Sequence, residues 1–403
     1  MAQLILELFK IILLLGFVIF ILLCLIFLIC QPDSKPKTQV IRDITEARKV
    51  LRESSLEERS HMNSEFMTKR FGIENELTTL SQPWRRESLR QTINSIKTSD
   101  DEWRALVNQS NLYLQKSLSE IRRGDSVPLR SFVQRFVFRI AMLKVYPTNK
   151  LAPTEEDLEV ITSNIIGLHN LPDGQRIEIE FRKETLVSRV GRVFGLDPDG
   201  NIPARENPLN QLFVAFDAMQ RVVLRCFLEL GSPRWFLNHP FSSGKIEQWP
   251  EFLENPNKHT FEQRGLLDFS LKDAINEALR LYPPPTSIFR QIKNEIIEID
   301  VEYIHRDPSN WGASSWTYNP TRWQYCDMEK VTFIPFSTGR IACPTRGSMG
   351  PRLLEVLVAT LLHNIGQDFE LIGEGSDEIL KDPAPLQASR QAYPNVGLMR
   401  KNA

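Results

Sequence analysis

Between Leu209 and Leu230 the chain runs through a strongly apolar stretch that holds neither Gly nor Pro, and Gly231-Ser-Pro233 closes it. A long unbroken run ended by such a stop signal reads as a helix. Asp217, Arg221 and Arg225 fall inside it, so it is not a membrane span. A helix apolar on most of its faces must be surrounded by other elements. The expected fold is therefore mainly α with a small β-sheet. Ile44 to Arg52, Trp103 to Ile121 and Val127 to Val145 carry apolar residues at helical spacing, and Leu266 to Leu281 and Leu353 to Leu362 read as two further helices. Ser287 to Ile292 and Glu298 to Tyr303 are strand-like. Arg176-Ile-Glu-Ile-Glu-Phe181 alternates like a strand between helical flanks, and both readings stay open. Asp197-Pro-Asp199-Gly-Asn201 begins like a calcium loop, but Ile202 and Pro208 occupy the positions that need Gly and Glu, which leaves a turn.

At 403 residues the chain can bury a large core. Its 49 basic and 50 acidic residues leave a net charge of −1, which argues against nucleic acid as the main partner. The five cysteines are too scattered for a disulfide framework: Cys24 and Cys30 lie in the apolar N-terminus, and Cys226, Cys326 and Cys343 lie far apart. That usage suits a reducing compartment. Ile11 to Cys30 is a twenty-residue uncharged run, close to the length that spans a ~30 Å hydrocarbon layer. It exceeds the apolar core of a cleavable signal and has no small-x-small site. Lys35, Lys37, Arg42, Arg48, Lys49 and Arg52 follow it, which places the C-terminal body on the cytosolic side by the positive-inside rule. The expected organisation is a transmembrane anchor over residues 1–31, a linker over 32–39 and one body over 40–403.

Three motifs carry the chemistry. Phe333-Ile-Pro-Phe336-Ser-Thr-Gly339-Arg340-Ile-Ala-Cys343-Pro344 is a turn-rich loop before the last apolar helix, and it suits a thiolate that reaches a metal from one side. A free cysteine alone is most often a small buried packing residue. Sixty-six residues before Cys343, Glu277-Ala-Leu-Arg280 precedes an abrupt stop at Leu281-Tyr-Pro-Pro284, and Asn319-Pro-Thr-Arg322-Trp323 adds a second arginine. Glu277 and Arg280 share a helix face.

In this order the motifs resemble the cytochrome P450 family. The likeness is good over residues 209–400 and weak over 40–145. The resemblance implies a haem b whose iron is bound by the Cys343 thiolate, which pushes electron density toward O–O cleavage. It implies that Glu277, Arg280 and Arg322 form a buried structural triad behind the thiolate loop. Phe336 and Gly339 match the family loop Phe-x-x-Gly-x-Arg-x-Cys-x-Gly in register; Ile341 replaces its arginine, with Arg340 one place early, and Thr345 replaces its last glycine. By the same resemblance Trp84, Arg290 and Arg340 are expected to reach the haem propionates. Asp217 is expected to deliver protons above the iron, although Ala218 and Met219 stand where the family has an alcohol.

The implied function is a membrane-anchored monooxygenase of the endoplasmic reticulum, served by NADPH-cytochrome P450 reductase and acting on an apolar small molecule. Arg85, Arg86, Arg90, Arg346 and Arg352 are candidates for the reductase-docking face. The stretch Asp300 to Trp323, with His305-Arg-Asp-Pro308 and Trp311-Gly312, resembles fungal members, hence a secondary-metabolite substrate. Only about fifty residues separate the anchor from Trp84, so the N-terminal β lobe is expected to be shortened. Two alternatives remain: a haem-thiolate isomerase or dehydratase that needs no reductase, and a membrane-anchored relative without catalysis.

Overall fold

The structure, a computed structural model, describes residues 37–147, 153–196, 202–231, 234, 248–264, 268–293, 295–327, 332–347, 349–366, 368–382 and 384–402. The expected membrane anchor at Ile11 to Cys30 and the turn at Asp197 to Asn201 lie outside these residues. Among the described residues no helix is long and apolar enough to cross a membrane.

The helices are α1 (Ile44–Glu53), α2 (Leu56–Phe71), α3 (Gln82–Ile96), α4 (Asp100–Ser119), α5 (Leu129–Val145), α6 (Glu155–Asn170), α7 (Arg176–Phe194) and α8 (Leu209–Gly231). They continue with α9 (Gln248–Glu254), α10 (Lys258–Glu262), α11 (Leu271–Leu281), α12 (Val301–Arg306), α13 (Pro308–Trp311), α14 (Met349–Ile365) and α15 (Ser376–Lys381). Their starts are chemically marked. Ser55, Ser99, Thr154 and Ser270 each cap a helix reciprocally with the acidic residue three places on, satisfying backbone N–H groups that the helix itself leaves unpaired. Arg176–Phe194 is helical throughout, which resolves the alternating segment.

Two three-stranded sheets flank the helices. In the first, β1 (Lys37–Ile41) runs parallel to β4 (Glu295–Asp300), and β3 (Ser287–Ile292) pairs antiparallel with β4. The expected linker over 32–39 therefore gives way to a strand at Lys37, where Val40 and Ile41 favour pairing with Glu298 and Ile299. The expected strand at Glu298 to Tyr303 ends at Asp300, because the Asp300 carboxylate accepts the Tyr303 N–H and starts α12. In the second sheet, β6 (Gly397–Arg400) lies between β2 (Ser126–Pro128) and β5 (Phe369–Ile372).

The core has two parts. A small one joins Ile41, Leu51, Ile299, Ile304 and Ile334 under the first sheet. The large one is built around α8, which packs on α5, α11 and α14. Phe216, Val222, Val223 and Leu228 of α8 are fully buried, and burying each such side chain contributes about 2 kcal/mol. The polar residues that break the helix's apolarity are tied to the C-terminal loop. Arg221 donates to Ala388 O at 3.0 Å, and Arg225 donates to Gln387 O and Ser389 O at 2.7 and 2.6 Å. Glu229 pairs with Arg234 at 2.9 Å. Buried cations that find several carbonyls in this way fix a loop which has no secondary structure of its own.

Candidate active site

A cavity of about 400 Å³ lies between α8, the α2–β3 layer and the cysteine loop. One face of α8 forms a wall. Val214, Ala215, Ala218, Met219 and Val222 are spaced along the same side of the helix, and all line the cavity. Leu279, Pro284, Pro285, Ile288 and Phe289 form the apolar wall opposite. Cys343 lies at the cavity edge with Phe336, Ile341 and Pro344. Its N–H donates to Phe336 O at 2.9 Å, which folds the loop back on itself and presents the sulfur.

Gly339 is required by the backbone. It has φ +79°, and a Cβ there would come within 2.9 Å of both Arg52 Cα and Leu51 O. The glycine lets the loop lie directly on α1, and it does not line the cavity. Arg340 beside it is exposed and also outside the lining.

The triad forms as expected. Glu277 is fully buried and accepts from Arg280 Nε and Nη2 at 2.9 and 2.8 Å, and from Arg322 Nε at 2.9 Å. Asn319 N and Trp323 Nε1 add donors at 2.9 and 3.0 Å. Burial alone would raise the Glu277 pKa, but Arg280 and Arg322 overcome it and hold the carboxyl below its usual range. The network reaches the thiolate loop through His305. Arg280 Nη1 donates to His305 O at 2.8 Å, and His305 Nε2 accepts the N–H of Ile334, at the loop's start, at 2.8 Å. Burial and the neighbouring Arg280 lower the His305 pKa to about 3, so the ring stays neutral and keeps that acceptor. Trp323 also packs edge-on against Phe333, with centroids 4.7 Å apart. Sequence reasoning named the triad but missed His305 as its link to the loop.

A cationic corner borders the same cavity. Arg290 of β3 is buried and lines it. Arg59 of α2, which sequence reasoning missed, lines it too, and Arg85 of α3 lies close by. Desolvation lowers the Arg59 guanidinium to about 10, and Arg290 and Arg85 add repulsion; Glu76 opposes them. Among the described residues, Nε of Arg85, Nε of Arg290 and Oγ of Ser337 are buried without a hydrogen-bond partner. Like charges gathered with unused donors mark a place built for an anion. An apolar macrocycle carrying two carboxylates and needing one axial ligand matches this donor set: apolar walls, a sulfur at the edge and a cationic corner. The residues fit a haem.

Two expectations fail on geometry. Trp84 has one N–H, and it donates to Glu74 O at 2.8 Å while Arg205 covers the ring; Trp84 is outside the cavity lining. Its expected propionate contact is replaced by a role in holding the turn before α3. Asp217 faces away from the cavity lining and accepts two hydrogen bonds from Arg390 Nε and Nη2, at 2.9 and 2.8 Å. Burial would raise its pKa, but Arg390 lowers it, so the group is a clamped carboxylate rather than a proton donor. Of the candidate docking arginines, Arg86, Arg90 and Arg346 are exposed. Arg90 pairs with Glu87, and Arg352 pairs with Asp100 at 3.0 Å.

No protein-family model matches the chain. It is similar to a desmethylyatein synthase of Sinopodophyllum hexandrum, 30% identical over 250 residues that make up 54% of this chain and 50% of that protein. A probable cytochrome P450 of Dictyostelium discoideum is 24% identical over 70% of this chain and 48% of its own length. The chain thus spans about half the length of these curated relatives. Among solved structures, CYP175A1 from Thermus thermophilus superposes with a TM-score of 0.59 at 15% identity, covering 92% of this chain and 91% of that one. A six-coordinated cytochrome P450 from the same species gives a TM-score of 0.57 at 14% identity, over 90% and 92% of the two chains. The fold is that of the cytochromes P450.

Proposed function

We propose that this chain, as a cytochrome P450, is a haem-thiolate monooxygenase that oxidises an apolar small molecule. The observation that carries the reading is Cys343 on the lining of an apolar cavity that Arg59 and Arg290 also line, with Arg85 close to Arg59. When bound, the haem supplies activation of dioxygen and transfer of one oxygen atom to the substrate. The chain's own residues do the rest. Cys343 would offer its sulfur to the haem iron, and the loop that carries it is braced by Gly339 on α1 and by His305 on the triad. Arg290, Arg59 and the Ser337 hydroxyl would hold the two carboxylates of the cofactor, with Arg85 strengthening the local positive potential. Val214, Ala218, Met219, Val222 and Phe289 exclude water and orient an apolar substrate by contact alone.

The electrons come, in this proposal, from NADPH-cytochrome P450 reductase at the endoplasmic reticulum membrane, with the exposed Arg86, Arg90 and Arg346 facing an acidic partner. The anchor is the apolar run Ile11 to Cys30, and the substrate class is a secondary metabolite such as a terpenoid, a polyketide or a modified peptide. A reduced carbon monoxide difference spectrum of the purified protein tests the core of the reading. The thiolate-type band is expected in the wild type and lost in Cys343→Ala; a wild type without it refutes the assignment.

One observation favours a second reading. Ala218 and Met219 bring no hydroxyl to the cavity wall, and Asp217 is engaged by Arg390. An isomerase or dehydratase that needs no reductase is compatible with such a wall. Product formation that requires NADPH and the reductase excludes it; product formed without them excludes the monooxygenase.

A further inference from the structure

The loop carries one departure from its expected pattern that places a new chemical group beside the sulfur. Position 345 holds Thr where the pattern has Gly, and the Thr345 hydroxyl lies 3.0 Å from Cys343 Sγ. Room for that side chain is made elsewhere. Gly350, in the first turn of α14, faces it: a Cβ on Gly350 would meet Thr345 Oγ1 at 2.8 Å and Thr345 O at 3.1 Å. An alanine at 350 would therefore push the threonine away from the sulfur. The departure at 345 and the glycine at 350 are physically coupled, since the side chain of one fills the space the other leaves. The Cys343 N–H is already given to Phe336 O, and the Arg346 N–H to Cys343 O at 3.3 Å, so neither is directed at the sulfur. Thr345 is the hydrogen-bond partner that the structure records for Sγ.

We propose that Thr345, accommodated by Gly350, is a positioning residue that donates its hydroxyl proton to the Cys343 thiolate and weakens the sulfur's donation to iron. The inference rests on the haem-thiolate reading above. A thiolate has no proton to give, so the hydroxyl is the donor. A hydrogen bond to a ligating sulfur draws electron density from it, which weakens the metal–sulfur bond and raises the reduction potential. The chain would thereby accept its first electron more readily than the same site with glycine at 345.

The test uses haem-loaded full-length protein and reads the iron–sulfur stretching frequency by resonance Raman together with the midpoint potential. In Thr345→Val, which keeps the shape and removes the hydroxyl, the stretch is expected to rise and the potential to become more negative. Thr345→Ser should stay near the wild type, because it restores the donor. Gly350→Ala should move both readouts in the same direction as Thr345→Val, and the double variant should show no additional shift. Should valine prevent folding, Thr345→Gly, the residue of the expected pattern, carries the same expectation. Wild-type readouts in the valine or glycine variant overturn the proposal, as does a serine variant shifted as far as they are. A wild type lacking the thiolate-type carbon monoxide band instead removes the reading beneath it, so the two failures are told apart.

Discussion

Glu277 and Glu355 sit on adjoining helices, α11 and α14, and both are 0% exposed. Five hydrogen bonds converge on Glu277 from two guanidiniums, an indole and a backbone amide, and its pKa falls. Glu355 has no partner on either oxygen among the described residues, and burial raises its pKa well above the usual value. Equal burial thus pushes the two carboxyls in opposite directions, Glu277 toward the ionised form and Glu355 toward the neutral one. Depth sets only the cost of charge; the donors within reach decide whether the charge is kept. The pair also separates two uses of a buried acid in one fold, since Glu277 organises the loop that presents Cys343 and Glu355 is an unpaired polar group in the core.

The comparison is broken most forcefully at Glu277. Glu277→Gln leaves Arg280 and Arg322 buried without a counter-charge, and removing one partner of such a network costs about 3–5 kcal/mol. Urea unfolding followed by circular dichroism should show that loss, and haem retention should fall with it, because the Arg280–His305–Ile334 path loses its anchor. A variant that unfolds at the wild-type urea concentration would show that the network is not what secures the loop.

Glu355 should respond with the opposite sign. Replacing it by Met removes a polar group that has no partner, and an unsatisfied buried group of this kind costs about 1–3 kcal/mol, so the variant should be the more stable by about that amount. The effect depends on pH. A carboxyl whose folded pKa is raised binds its proton more tightly in the folded state than in the unfolded chain. Its contribution is fully present below pH 4.5, the ordinary value, and is lost as pH rises toward the raised one. The advantage of Glu355→Met should therefore grow by about 1.4 kcal/mol per pH unit above 4.5. An advantage that is flat from pH 5 to 8 would mean that Glu355 is ionised and has found a donor.

Much of this arrangement was legible before the fold. The run Leu209 to Leu230 became α8, ending at Gly231, because an apolar segment free of Gly and Pro has few other ways to be buried. Glu277 and Arg280 could be paired from their helical spacing, whereas Arg322 was joined to them through the family resemblance of its Pro-x-Arg segment. What escaped were partners remote in sequence. Arg390 lies 173 residues from Asp217, and nothing around either announces the pair that removes Asp217 from the cavity. Arg59 follows Glu57 and Glu58 in a polar helix and looks like a solvated cation; only the packing of α2 on β3 turns it toward Arg290. Trp84 failed for a local reason, since its single donor is claimed by Glu74 ten residues back. The alternating Arg176 to Phe181 stayed ambiguous because its residues Ile177 and Phe181 are exposed, at 90% and 64%, on a helix.

The smallest effect, and the sharpest check on how the Glu277 network reaches the thiolate loop, lies at His305. Its folded pKa is lowered from 6.5 to about 3 by burial and by the neighbouring Arg280, and the neutral ring accepts the Ile334 N–H. The unfolded chain takes up this proton below pH 6.5 and the folded protein does not, so stability is present above 6.5 and lost as pH falls toward 3. The loss amounts to about 1.4 kcal/mol per pH unit, or roughly 2 kcal/mol at pH 5. His305→Gln keeps an acceptor near Ile334 but cannot be protonated in this range. Urea unfolding free energies between pH 4.5 and 7 should then fall less steeply in the variant than in the wild type, by about one proton's worth of slope. Parallel slopes would place His305 in contact with water or with an acid, and would cut the physical connection between the triad and Cys343.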